Sequence, residues 1–337
     1  MSSTVRRCSS LAANSKIGII GVGNIGQAVA KNILKSGLYN LAAVLDLNPE
    51  NLQFLPKSVG RFRVPAEVAA ESDVVLTCVG VPADVKAVLE GADGVMAGLR
   101  KEAVWIDHTT TDYQQTIRLA QQVESCGAHA LEAPVTGGLT LLKQGQMTAF
   151  VGGREEIFNR CQQLLKLSCA NVLYMGPMGS ATITKVASNM LAGAHVVLMG
   201  EALLMAKKSG VNLRSFFDGI RLSAGNSYAW ETEAPLVLNG SCDPDFHIRL
   251  HCKDYSLGYQ IASQYQAPMP LHALVQQIYN TARLKYGDSA GSTHPARMTS
   301  DLLNESLETD GYQDWTYQIE MVTGGSIGVV QKKKKDQ

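Results

Sequence analysis

The chain has no surplus of charge of either sign: 30 lysines and arginines face 30 aspartates and glutamates. Without net charge there is no global electrostatic pull toward nucleic acid or an anionic membrane, and neither is expected as a partner. The one dense basic run, Lys332-Lys333-Lys334-Lys335, stands near the end of the chain and reads as a solvated tail. Paired cysteine spacing is missing as well. The 7 cysteines, at positions 8, 78, 126, 161, 169, 242 and 252, contain no CxxC, and the odd count closes no disulfide framework. His247, His251 and Cys252 crowd together, yet no third partner falls in register with the two histidines, so no metal is expected. A reduced, intracellular protein follows, cytoplasmic or alternatively in the mitochondrial matrix. Long uncharged apolar runs are absent too. The greasiest stretch, Asn189 to Ala206, holds His195 and Glu201 and follows Lys185, so it reads as a buried helix and not a membrane span. The first sixteen residues lack acids, are rich in serine and carry Arg6, Arg7 and Lys16; a short mitochondrial presequence and a disordered tail share that composition.

What is present is an ordinary globular composition, 45% apolar over 337 residues, enough for two domains with a sizeable core. From Lys16 the pattern alternates strand, turn and helix. Short apolar runs at Ile17–Ile20, Leu41–Leu45, Asp73–Val79, Ala103–Ile106, Ala128–Leu131 and Ala149–Val151 predict strands, with a helix from Gln27 to Ser36 stopped by Gly37. Such strands separated by helical segments imply an α/β domain with a doubly wound parallel sheet covered on both faces. After about Pro177 the strand signals stop. A helix of about thirty residues is predicted from Ser180 to Ser209, with Gly210 as its stop. Further helices are predicted at Leu213–Leu222, Tyr255–Gln264, Pro270–Tyr286 and Thr299–Glu308. The expected organisation is a flexible tail (1–14), a Rossmann-type domain (15–178), an all-α domain joined by the long helix (179–309) and a C-terminal tail (310–337).

Gly21-Val22-Gly23-Asn24-Ile25-Gly26 is a G-x-G-x-x-G run between a predicted strand and a predicted helix. Gly21 permits a tight turn, Gly23 lets a pyrophosphate approach the backbone, and Gly26 lets the helix pack closely. The helix N-terminus near Asn24 and Ile25 offers N–H groups to phosphates. Asp46 follows Gly26 by twenty residues, where a carboxylate accepts ribose hydroxyls and repels a 2′-phosphate. NAD is therefore favoured, with NADP possible; a turn-forming role ahead of Asn48-Pro49 is the plainer alternative for Asp46.

Five segments, in order, resemble the β-hydroxyacid dehydrogenase family of 3-hydroxyisobutyrate dehydrogenase-like enzymes. They are the glycine turn; Asp107-His108-Thr109-Thr110; Glu132-Ala133-Pro134-Val135-Thr136-Gly137-Gly138; Gly176 to Gly179 leading into Lys185-Val186-Ala187-Ser188-Asn189; and Lys253-Asp254. The resemblance implies hydride transfer between a nicotinamide cofactor and the hydroxyl of a small 3-hydroxy acid. Lys185 is then the proton-transferring residue, its basicity lowered by burial, and Asn189, one helical turn on, orients the reacting oxygen. Thr136, Gly137 and Gly138 are implied to hold the substrate carboxylate on backbone N–H groups, with bulky Leu139-Thr140-Leu141-Leu142-Lys143 beside them where the family has small residues. Thr109 and Thr110 stand for a pair near the nicotinamide, Thr109 toward substrate and Thr110 toward cofactor. Val79 lines the cofactor cleft, and Lys253, held by Asp254, closes over cofactor and substrate. A homodimer or homotetramer is implied by so apolar a helix. A non-catalytic dinucleotide-binding scaffold of the same fold, and enzymes like 6-phosphogluconate dehydrogenase or imine reductase, are the rival readings.

Overall fold

The structure, a computed structural model, describes residues 10–243, 246–315, 317–321 and 327–331. It divides into two compact units, Met1–Lys185 and Val186–Gln337. The first alternates strand and helix through β1 (Lys16–Ile20), α1 (Asn24–Ser36), β2 (Asn40–Leu45), β3 (Gly60–Arg61), α2 (Pro65–Ala70), β4 (Val74–Thr77), α3 (Pro82–Glu90), α4 (Val95–Gly98), β5 (Val104–Asp107), α5 (Tyr113–Ser125) and β6 (His129–Glu132). It continues with β7 (Val135–Thr136), α6 (Gly138–Gln144), β8 (Met147–Gly153), α7 (Glu155–Leu165) and β9 (Cys169–Gly176). Strands β3-β2-β1-β4-β5-β6 run parallel in that order; β8 joins antiparallel to β6 and β7, and β9 pairs parallel to β8.

The strand order reverses beside β1, so the crevice at its carboxyl end is the topological switch point where such sheets take ligands. The apolar runs of β4 and β5 are buried along their whole length. Their side chains alternate between faces: Val74, Leu76, Val104 and Ile106 join the core under α1 and α7, while Val75 and Trp105 join the one under α2, α3 and α5. Each such aliphatic side chain stabilises the fold by about 1.5–3 kcal/mol. The same pleat brings Thr77, Asp107 and Glu132 into one row at the strand ends, since Thr77 pairs with Asp107 and Asp107 with Glu132.

The parallel α/β sheet follows the sequence expectation, with corrections at its margins. Strand β4 ends at Thr77, short of Val79, and Asp73 lies outside it, accepting the Lys16 N–H. Strand β9 was not anticipated: it is partly exposed and so lacks a continuous apolar run.

Helix α8 (Ser180–Lys208) begins in the first unit and continues into the second. There it is followed by α9 (Leu213–Arg221), α10 (Tyr228–Leu238), α11 (Ile248–Gln264), α12 (Pro270–Tyr286) and α13 (Met298–Leu302). By length and composition alone α8 passes as a membrane-crossing segment, and 44% of its most apolar window is buried. The expected buried helix is thus buried only in part: Leu191, Leu198 and Met205 are exposed, and their seven-residue spacing puts them on one stripe. Helix α10, with Pro235 inside it, was missed, since an internal proline reads as a helix breaker. Helix α11 starts seven residues before the expected Tyr255, and α13 stops at Leu302, well short of Glu308. The expected C-terminal tail contains an antiparallel pair, β10 (Tyr317–Met321) with β11 (Ile327–Gln331). The basic run Lys332–Lys335 and residues 1–9 of the N-terminal segment lie outside the described residues.

Candidate active site

At the switch point the glycine turn has the geometry its three glycines require. Gly21 adopts φ +87, and a Cβ there would meet the Cys78 carbonyl oxygen at 2.3 Å. A Cβ on Gly26 would lie 2.0 Å from the Gly21 carbonyl oxygen, so the helix start packs on the turn itself. Around Gly23 there is nothing within 4 Å of an added Cβ. Asn24 is exposed, Ile25 packs partly into the core, and the first turn of α1 carries no acidic side chain. Open space, bare backbone N–H groups and a positive helix end fit a pyrophosphate.

Asp46, just beyond β2, ties this turn to its own loop. Oδ2 accepts the Val22 N–H at 2.6 Å, while Oδ1 accepts the Asn48 N–H at 2.8 Å and the Asn51 amide at 3.0 Å. The turn-forming role and a place beside the glycine turn are thus held by one carboxylate.

Beyond β4 and β5 the framework is a buried hydrogen-bonded chain. Trp105 Nε1 donates to Thr77 Oγ1 at 3.0 Å, and that hydroxyl donates to Asp107 Oδ1 at 2.8 Å. The Thr109 N–H donates to the same oxygen at 3.0 Å. Thr109 is buried, and its hydroxyl accepts the Val79 N–H at 3.1 Å, so it braces the loop after β4; Thr110 beside it is half-buried. Burial pushes the Asp107 carboxyl up to about 6, against the hydrogen bonds from Thr109 and Thr77 that favour its ionised form. His108, given no role by sequence, is buried with Nδ1 2.7 Å from the Ala133 carbonyl, and burial lowers its pKa.

The third motif starts at the end of β6. Glu132 is 2% exposed and accepts hydrogen bonds from the N–H groups of Gly179, Ala181 and Thr182 and from the Thr182 hydroxyl. Sequence alone left it without a role; its partners lie 47 to 50 residues away, and only the packing glycine at position 152 hints at them. Thr136 ends β7, and Gly137 and Gly138 turn into α6 with φ +128 and +71. L side chains rarely adopt such values, so glycine is required here. Of the bulky residues expected beside this turn, the side chains of Leu139 and Thr140 lie outside the described residues. Leu141 and Leu142 are buried, Leu142 in the core and Leu141 under Gly137, where an added Cβ would meet Leu141 Cδ1 at 2.9 Å; Lys143 is exposed.

Lys185 lies on the second turn of α8 and is 7% exposed, close in sequence to Ala181, Thr182 and Val186, which are buried still more deeply. In the second unit Asn189 donates from Nδ2 to Asp254 Oδ2 at 2.5 Å. Lys253 Nζ approaches Asp254 Oδ1 to 3.1 Å, an ion pair without the alignment of a hydrogen bond, with both side chains largely buried. Asp254 therefore contacts both Lys253 and Asn189. His251, one of the crowded histidines, has Nε2 3.0 Å from the Asn189 carbonyl oxygen, and Tyr255 donates its hydroxyl to the Met190 carbonyl at 2.9 Å. Among the described residues no three of His, Cys, Asp and Glu converge as a metal requires.

Known proteins resemble the chain over most of its length. A family model described as the NAD binding domain of 6-phosphogluconate dehydrogenase matches residues 16–176. A second, described as NAD-binding of NADP-dependent 3-hydroxyisobutyrate dehydrogenase, matches residues 179–299. Mouse mitochondrial 3-hydroxyisobutyrate dehydrogenase is 31% identical over 278 residues, 80% of this chain and 82% of that one. The L-threonate dehydrogenase of Cupriavidus necator is 31% identical over 268 residues, 79% of this chain and 90% of that one. A Mycobacterium tuberculosis 3-hydroxyisobutyrate dehydrogenase solved with L-serine superposes with a TM-score of 0.78 at 25% identity, covering 85% of this chain and 99% of that one. By these two family models and relatives 31% identical over four fifths of its length, the chain belongs to the β-hydroxyacid dehydrogenase family of NAD(P)-dependent oxidoreductases.

Proposed function

We propose that this enzyme transfers a hydride between a nicotinamide cofactor and the 3-hydroxyl of a small 3-hydroxy acid, with Lys185 as general acid and base. The observation that carries the reading is the burial of that one lysine, 7% exposed on a helix whose first turn is pinned by Glu132. A buried amine on a pinned helix is held in one place, which is what proton transfer to a fixed oxygen needs. As a neutral amine, Lys185 takes the hydroxyl proton while the alcohol becomes a carbonyl. In the reverse direction its ammonium polarises the carbonyl oxygen and returns the proton to the alkoxide. When bound, the nicotinamide supplies the two-electron acceptor or donor.

The other residues bind and orient. Gly21, Gly23, Asn24, Ile25 and Gly26 take the pyrophosphate on backbone N–H groups, and Asp46 takes the ribose. Its fixed carboxylate repels a 2′-phosphate, which favours NAD over NADP. Val79 and Thr110 line the nicotinamide side, with Thr109 acting through Val79. Thr136, Gly137 and Gly138 receive the substrate carboxylate. Asn189 and Lys253, both held by Asp254, are the residues proposed to orient the reacting oxygen and to contact the substrate and cofactor. The exposed stripe of Leu191, Leu198 and Met205 supports self-association into a homodimer or homotetramer.

The test is a substrate screen with NAD and NADP on the wild type and on Lys185→Ala. The panel includes 3-hydroxyisobutyrate, L-threonate and L-serine, the compounds that appear with the relatives. Turnover of at least one 3-hydroxy acid is expected, with NAD preferred and a kcat loss of at least about 100-fold in the variant. Cofactor binding without turnover on any hydroxy acid would instead identify a non-catalytic scaffold.

A further inference from the structure

Glu132 has features that the binding roles above do not explain. It is a carboxylate at the end of an inner strand, 2% exposed, with both oxygens occupied. Oε1 accepts the N–H groups of Gly179 at 2.6 Å and Ala181 at 2.9 Å; Oε2 accepts the N–H of Thr182 at 3.0 Å and its hydroxyl. Those three N–H groups belong to the entry and first turn of α8, where a helix has no partners of its own for them. A cap of this kind is ordinarily supplied by the residue preceding the helix. Here that residue is Gly179, which has no side chain and sits at φ +99 against Tyr113. The cap comes instead from a strand 47 residues earlier. Space is kept for it: Gly152 faces Glu132 across the β6–β8 pair, and a Cβ on Gly152 would lie 2.2 Å from Oε1.

Lys185 follows Thr182 by three residues and Ala181 by four. Side chains on a helix lean toward its N-terminus, so the stem of Lys185 rises over the turn that Glu132 grips. We infer that Glu132 is a positioning residue for the reaction, fixing the rotation and height of the first turn of α8 and thereby the place of the Lys185 amine. This inference rests on the proposed role of Lys185. It assigns the acidic first residue of the Glu132–Gly138 segment to the lysine, and the glycine turn at its other end to the substrate. Fixing by four hydrogen bonds to one rigid strand is stronger than a local cap provides, because the strand itself is buried in the sheet.

The test compares Glu132→Gln, Thr182→Val and Thr182→Ser with the wild type and Lys185→Ala, with active enzyme counted by titration with reduced cofactor. Glutamine keeps the length, but its amide group must face the Thr182 N–H, donor against donor. Valine keeps the shape of Thr182 and deletes one donor, and serine restores that donor. The expected result is a kcat at least about tenfold lower in Glu132→Gln and about three- to tenfold lower in Thr182→Val, with cofactor affinity unchanged and kcat recovered in Thr182→Ser. A purely structural cap would lower the melting temperature and leave kcat per active molecule at the wild-type value, which would overturn the inference. If Glu132→Gln fails to fold, the Thr182 pair decides in the same way. Full activity in Lys185→Ala would remove the proposed function and this inference together. A large loss there with wild-type kcat in the Glu132 and Thr182 variants would remove this inference alone.

Discussion

At the scale of single residues, Asp107 shows what burial does to a carboxyl held for geometry. One of its oxygens accepts Thr77 and the Thr109 N–H, while Oδ2 is buried with no hydrogen-bond partner. Its pKa accordingly rises from 3.8 to about 6. A carboxyl raised in the folded state binds its proton more tightly there than in the unfolded chain. Its contribution to stability is therefore full below the unfolded value and is lost as pH rises through about 6. The loss is on the order of 2–3 kcal/mol. In Asp107→Asn, whose amide nitrogen would take the place of Oδ2, that part of the pH dependence should vanish; urea unfolding across this range measures it. An unchanged profile would mean that Asp107 is not the titrating group. Local conformation was legible in the sequence where backbone chemistry dictates the residue type, at Gly21 with φ +87 and Gly137 with φ +128, and so was the placing of Lys185 and Asn189 on one helix. The contacts of Glu132 were not legible and those of Asp254 only in part, because their hydrogen-bond partners are far away in the chain.

The scale of elements is where the sequence spoke most clearly at the centre and least at the edges. Strands β1, β2, β4 and β5 are covered on both faces, so their apolar runs are nearly unbroken and easily read. Strand β9 is half-exposed, α10 contains a proline, and the start of α11 is masked by Arg249 and Lys253. Each weakens the periodicity from which an element is recognised. The junction of β1 and α1 is set by steric fit: a methyl group on Gly26 would collide with the Gly21 carbonyl oxygen, which is backbone and has little room to yield. Gly26→Ala should consequently shift the helix off the turn, weaken cofactor binding at least about tenfold and lower stability by about 1–3 kcal/mol. Isothermal titration with NAD and thermal melting measure both. Wild-type affinity in that variant would show that the turn accommodates a side chain.

For the whole molecule, the order of an α/β half followed by a helical half was legible because the hydrophobic period changes near Pro177. Self-association was implied by the apolarity of one helix, and the exposed stripe at Leu191, Leu198 and Met205 gives that expectation a location. Placing a charge in the stripe, as in Leu198→Glu, should shift the sedimenting species toward monomer at micromolar concentration, since a desolvated carboxylate without a partner opposes burial. Sedimentation identical to that of the wild type would place any subunit contact elsewhere.

The most direct measurement concerns Lys185. With cofactor and a turned-over 3-hydroxy acid prebound in single-turnover stopped flow, Lys185→Ala should reduce the nicotinamide at least about 100-fold more slowly than the wild type, with cofactor affinity unchanged. A rate within about threefold of the wild type would contradict proton transfer by Lys185.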